Sequence, residues 1–84
     1  MSSAAGATEE IVEIFAEVLE VEPGEIDPAD KFHDDLDGES LQKLEVIVRL
    51  EKRFGVRFSL EQTEGLETAA EFADAVIVMT KSAT

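Results

Sequence analysis

Four acidic side chains, Asp34, Asp35, Asp37 and Glu39, crowd one hydroxyl, Ser40, in the stretch DDLDGESL, and an apolar run at helical spacing follows directly. Residues of these types support three chemistries: an oxygen-ligand site for a divalent cation, an activated nucleophile, or a helix start. For the first, the reference pattern is the calcium loop D-x-[DN]-x-[DN]-G-x5-E. Setting Gly38 on the loop glycine puts Asp35 and Asp37 at ligand positions. It also puts His33 first and Leu44 twelfth, where an acid and a bidentate glutamate are required, so only weak attraction of divalent ions to the charge remains. For the second, a serine hydroxyl is a weak nucleophile until a base takes its proton, and His33 is the only histidine. No G-x-S-x-G elbow accompanies Ser40, and a chain this small leaves little room for a substrate pocket. A non-enzyme is expected, with His33 a solvated or capping residue. For the third, Asp37 caps a helix whose first turn is Gly38, Glu39 and Ser40, acids being favoured there by the helix dipole. That reading leaves Leu41 unexplained: it is apolar, beside the hydroxyl, and in phase with Leu44 and Val48 rather than with Ile47, Leu50 and Phe54. A second apolar stripe next to an exposed hydroxyl implies a docking surface.

The elements that must position Ser40 can be read around it. Between Ser40 and Phe54 the apolar residues Leu44, Val46, Ile47, Val48, Leu50 and Phe54 describe a helix that stops at Gly55, the favoured residue just past a helix end. Upstream, Thr8 is a plausible cap followed by Glu9 and Glu10, and Ile11, Ile14, Phe15, Val18 and Leu19 form a helical stripe to about Glu20. The small-residue start, residues 1–7, reads as a flexible arm. From Val21 to Gly38 the chain is a long loop, with a Pro23-Gly24 turn and one helical turn capped at Asp27-Pro28; Ile26, Phe32 and Leu36 should pin it to a core. Ser59-Leu60-Glu61-Gln62 and Thr68-Ala69-Ala70-Glu71 both fit the capping box, so each opens a helix: a short one to Gly65 and a longer one carrying Phe72, Val76 and Ile77. Only Val56 to Ser59 reads weakly as strand, with nothing to pair with. The expected fold is all-α, a four-helix bundle of three longer helices and one short, with a body over residues 8–79 and a tail over 80–84.

Composition narrows the partners. Eighty-four residues make one domain burying roughly 60% of the surface of its unfolded chain. Twenty Asp and Glu against seven Lys and Arg give a net charge of −13, which repels nucleic acid and anionic lipid. A hydrophobic fraction of 44% is too high for a disordered acidic chain. Without cysteine there is no disulfide, thiolate metal site or intrinsic thiol, and no run approaches the ~20 apolar residues of a membrane span, nor does a signal segment begin the chain. A cytoplasmic monomer is expected, binding neither nucleic acid nor membrane.

The run Asp35-Leu36-Asp37-Gly38-Glu39-Ser40-Leu41 resembles the acyl carrier proteins, whose hallmark is D-L-G-x-D-S-L at the start of the second helix. The resemblance extends through IDPADKFHDDL before it and LEVIVRLEKRFGVRFS after it, over roughly residues 8 to 79. It implies that Ser40 carries 4′-phosphopantetheine, transferred from coenzyme A by a phosphopantetheinyl transferase, and that acyl groups travel as thioesters on the thiol of that arm. Ketosynthases, acyltransferases or other acyl-processing enzymes are the implied partners. By analogy Leu41, Glu45 and Val48, with Asp37 and Glu39, are the contacts, and Ile47, Leu50 and Phe54 are core. Two departures from the family stand out: Asp37 and Glu39 occupy positions where glycine and aspartate are usual. The second helix, acidic in the family, here carries Lys43, Arg49, Lys52 and Arg53 against Glu45 and Glu51, a local +2 that leaves −15 on the remainder. Either these are i,i+4 pairs on a solvated face, such as Glu45 with Arg49, or Arg49 and Lys52 select a dedicated partner set. The expectation is a stand-alone carrier, favoured by the initial methionine, serving polyketide or another specialised acyl pathway. A peptidyl or aminoacyl carrier, and a small acidic calcium-binding or interaction domain with unmodified Ser40, are the alternatives.

Overall fold

Helix α1 spans Ser3–Leu19 in the computed structural model, which describes the backbone of residues 3–82 and the side chains of residues 6–81. The expected helix start after a Thr8 cap is therefore corrected. Residues 3–7 of the supposed arm are helical, while Met1 and Ser2 lie outside the described residues. Alanine is the strongest helix former, and Ala7 is buried one turn before Ile11, so small residues extend the inward stripe upstream. Ile11, Phe15, Ala16 and Val18 continue it. The helix stops without glycine: Glu20 takes a left-handed φ of 60°, and the Val21 amide donates to the Ala16 carbonyl at 3.0 Å.

The long connection holds a 3-10 turn at Pro23–Glu25, where Glu25 accepts the Glu22 amide at 3.1 Å. A second turn follows at Asp27 to Asp30: the Asp27 carboxylate accepts the Ala29 amide and the Asp30 carboxylate accepts the Asp27 amide. Local carboxylates thus close this loop on itself. Ile26 and Phe32 are buried and Leu36 partly so, which is the pinning expected from the sequence. Two backbone bonds tie the loop to the far end of the chain, Phe32 N–H to Glu67 C=O at 2.9 Å and Ala70 N–H to Pro28 C=O at 3.1 Å.

Helix α2, Ser40–Phe54, ends at Gly55 with φ 68°, and the Gly55 amide donates to Glu51 C=O. Helix α3, Leu60–Gly65, and helix α4, Ala69–Ser82, both begin at the expected caps. Ser59 Oγ accepts the Gln62 amide while Gln62 accepts the Ser59 amide; Thr68 and Glu71 exchange the same pair of bonds. The expected tail is corrected too. Thr80 and Lys81 belong to α4, with the Thr80 hydroxyl bonded back to Ile77 C=O, and Ala83 and Thr84 lie outside the described residues. No strand occurs among the described residues.

The core sits where α1 meets α4 and α2. An edge-to-face series runs through it, Phe32 on Phe15 at 5.2 Å, Phe15 on Phe72 at 6.0 Å and Phe72 on Phe58 at 5.8 Å. Such pairs add about 0.5–1.5 kcal/mol each beyond the area they bury. Phe32 carries this packing into the loop that precedes Ser40.

Candidate functional site

Ser40 is the first residue of α2 and is exposed. The cap is Glu39, in extended backbone at φ −95°, and not Asp37; Gln42 reaches back to accept the Glu39 amide at 2.8 Å. The helix therefore starts two residues later than Asp37 capping would give, because Asp37 adopts a left-handed φ of 56° that no cap residue uses. Aspartate tolerates this region better than most residues, which accounts for its standing where glycine is usual in the resembling family.

Gly38 is needed for a different reason. A Cβ there would lie 2.2 Å from Phe32 Cε2 and 2.4 Å from Cδ2, so the backbone passes directly over the buried ring. Its amide donates to Phe32 C=O at 2.8 Å, and its carbonyl lies 2.8 Å from His33 Nδ1. A carbonyl only accepts, so Nδ1 carries the proton and Nε2 is left for solvent or a ligand. His33 is half-buried and set edge-on to Phe32. Its role is to brace the turn leading into Ser40.

The acids divide by task. All four, Asp34, Asp35, Asp37 and Glu39, are exposed, and Asp35 accepts the Lys31 amide at 2.7 Å. Among the described residues no group of three or more His, Cys, Asp or Glu side chains could hold a metal ion.

Helix α2 presents the two faces its phase implies. Ile47 and Leu50 are buried, Phe54 partly, and Val46 is buried with them; Leu41, Leu44 and Val48 are 76%, 56% and 48% exposed. Leu44, in register with the other two, joins the exposed stripe though it was not among the candidate contacts. Arg49 is held between Glu45, one turn earlier, at 2.9 Å and Glu17 of α1 at 3.0 Å. Arg53 pairs with Glu10 of α1. The i,i+4 pair was legible, but the α1 carboxylates were not, since phase does not reveal which helices lie side by side. Lys52 is exposed.

Beside Ser40 opens a groove of about 250 Å³ lined by the apolar Leu44 and Ile47, by His33 and Lys43, and by Thr63 and Glu64 of α3. The first-turn amides of α2 have no carbonyl one turn earlier to bond, so this end of the helix favours an anion. An exposed alcohol there, with a cation, a ring nitrogen and apolar side chains alongside, offers an attachment point for an anionic group. The remaining titratable group of note is distant: backbone amides of Glu67 and Thr68 hold the Glu71 carboxyl below its ordinary range.

Residues 9–76 match the family model described as the phosphopantetheine attachment site. Among curated relatives, the meromycolate extension acyl carrier protein of Mycobacterium tuberculosis (strain ATCC 25618 / H37Rv) is 43% identical over 61 residues, covering 73% of this chain and 53% of that protein. The chain thus spans about half the length of those meromycolate carriers. The acyl carrier protein of Acidothermus cellulolyticus is 36% identical over 73 residues, 87% of each chain. Among solved structures, an acyl carrier protein from Enterococcus faecalis, described for high thermal stability, superposes with a TM-score of 0.76 over 93% of this chain and 99% of that one, at 22% identity. That likeness supports the fold alone.

Proposed function

Since the chain belongs to the acyl carrier protein family, defined by its phosphopantetheine attachment site, we propose that Ser40 bears the arm and that the protein presents acyl thioesters to enzymes of a polyketide or other specialised acyl pathway. The family's prosthetic group, 4′-phosphopantetheine, supplies the thiol that a cysteine-free chain lacks. The protein's own part is presentation. Glu39 and Gln42 fix the helix start, His33 and Gly38 hold the turn before it, and the first-turn amides with Lys43 offer the positive end of the site to the phosphate. Activation of the Ser40 hydroxyl comes from the transferase, which is why a base beside it is unnecessary. Tethering then raises the substrate's effective concentration at each enzyme the arm reaches.

The single observation that carries this reading is the exposed Ser40 at the first position of α2, inside the family motif. The specialised pathway is favoured by the named role of the meromycolate relatives and by the basic residues of α2. Asp37, Glu39, Leu41, Glu45 and Val48 are the proposed contacts of transferase, ketosynthase and acyltransferase. Lys52 is a contact as well, while Arg49 acts by holding Glu45 and α1 in place. The cytoplasm is the proposed compartment.

Incubation with coenzyme A, magnesium and a promiscuous transferase, followed by intact mass, tests the assignment. Wild type gains the mass of one phosphopantetheine and Ser40→Ala gains none. Unmodified wild type, or modification that persists in Ser40→Ala, would refute it.

A further inference from the structure

In a chain of net charge −13, cations have many acids to pair with, and two of the four on α2 do so: Arg49 with Glu17 and Glu45, Arg53 with Glu10. Lys43 and Lys52 of the helix do not, nor does Arg57 just past its end. Lys52 and Arg57 are exposed, and among the described residues neither side chain makes an ion pair or hydrogen bond. They line one open groove of about 480 Å³ at the C-terminal end of α2, between Val48 and Val56. The carboxylate in its wall, Glu51, is turned to the Phe58 amide at 2.9 Å. The groove is thus a cationic spot on an acidic protein, and Val48 joins it to the exposed stripe of Leu41 and Leu44.

We propose that this groove receives an acidic segment of an acyl-processing partner, with carboxylates between Lys52 and Arg57 and an apolar neighbour on Val48. The inference rests on the carrier reading and specifies its partner: an enzyme whose contact surface is acidic where it meets the end of α2, so that carriers lacking these cations are turned away. Charge complementarity selects that occupant. A nucleic acid or anionic membrane is disfavoured by the remaining −15.

The test uses two forms of one bacterial fatty-acid ketosynthase, the native enzyme with a basic carrier-docking surface and a form with those Lys and Arg residues reversed to Glu. Turnover of acyl-coenzyme A by both forms serves as the docking-independent reference. The protein is loaded at Ser40, checked by intact mass, acylated, and assayed with each form alongside Lys52→Glu/Arg57→Glu and a charge-matched Lys31→Glu/Lys81→Glu. Lys52→Glu/Arg57→Glu should shift the kcat/KM ratio about tenfold toward the basic form at low salt, and the shift should collapse near 0.5 M salt. The charge-matched variant should leave the ratio near wild type. An unmoved ratio, or an equal shift in the charge-matched variant, overturns the proposal. Failure of Ser40 to load overturns the carrier reading instead, and intact mass separates the two.

Discussion

Gly38→Ala should damage the protein through a buried ring six residues earlier in the chain, and not through a left-handed backbone angle at Gly38. The added methyl would sit 2.2 to 2.7 Å from three atoms of Phe32, about 0.8 to 1.3 Å inside the ~3.5 Å of an ordinary carbon contact. Phe32 cannot yield toward solvent, being fully buried and packed edge-on against Phe15. The backbone must move, and with it the bonds from Gly38 N–H to Phe32 and from His33 to Gly38 C=O. Overpacking of this kind costs about 1–3 kcal/mol, and a domain of this size loses ~4–8 °C in Tm per kcal/mol, so a fall of roughly 5–20 °C is expected. Thermal unfolding by circular dichroism measures it. Since the displaced turn delivers Ser40, the initial rate of transferase modification at 25 °C should fall as well. Phe32→Leu makes room at its own cost of about 1–2 kcal/mol, and the double variant should be less destabilised than the sum by about 1 kcal/mol. A Tm for Gly38→Ala within about 1 °C of wild type, or strict additivity in the double variant, would refute the close-approach argument.

Glu20→Gly relieves the left-handed residue ending α1 and should raise stability by about 0.5–1 kcal/mol in urea unfolding; a loss would contradict the assignment of strain there. Arg49→Glu removes two exposed ion pairs and sets three carboxylates together, for a loss of about 1 kcal/mol that 0.5 M salt should largely erase; a salt-independent loss would mean packing, not charge, is responsible. Val48→Asp, at a half-exposed site, should change stability by less than about 0.5 kcal/mol yet slow acyl transfer to a partner enzyme about tenfold, and unaltered transfer would remove Val48 from the contact surface. Glu71 has its folded pKa depressed below the ordinary 4.5 by backbone hydrogen bonds, so its contribution is present above that value and lost as pH falls through the lowered pKa. Glu71→Gln should therefore flatten the acid limb of the stability curve, and an unchanged limb would show that the exposed cap is screened.

Helix phase made much of this legible. The two faces of α2, the Ser59 and Thr68 caps and the stop at Gly55 all follow from spacing and cap chemistry within one turn of the residue concerned. What escaped were relations between distant segments. The passage of Gly38 over Phe32, the pairing of Glu17 and Glu10 with α2, and His33 as a brace depend on which surfaces meet, and no local pattern encodes that. The start of α1 was misplaced because a run of small residues has no apolar period, although Ala7 is buried by α1's packing. Capping at Asp37 failed because acids at successive positions offered equivalent caps, and a backbone angle decided among them.

The two amide bonds that fasten the 28–32 segment to Glu67 and Ala70 mean that the candidate attachment site is architecturally discontinuous. A graft moving DDLDGESL and the helix behind it into a foreign scaffold would carry the signature but leave its buttress behind. Synthetic carriers built by segment exchange should place their crossover points outside residues 28–70, or move both anchored segments together.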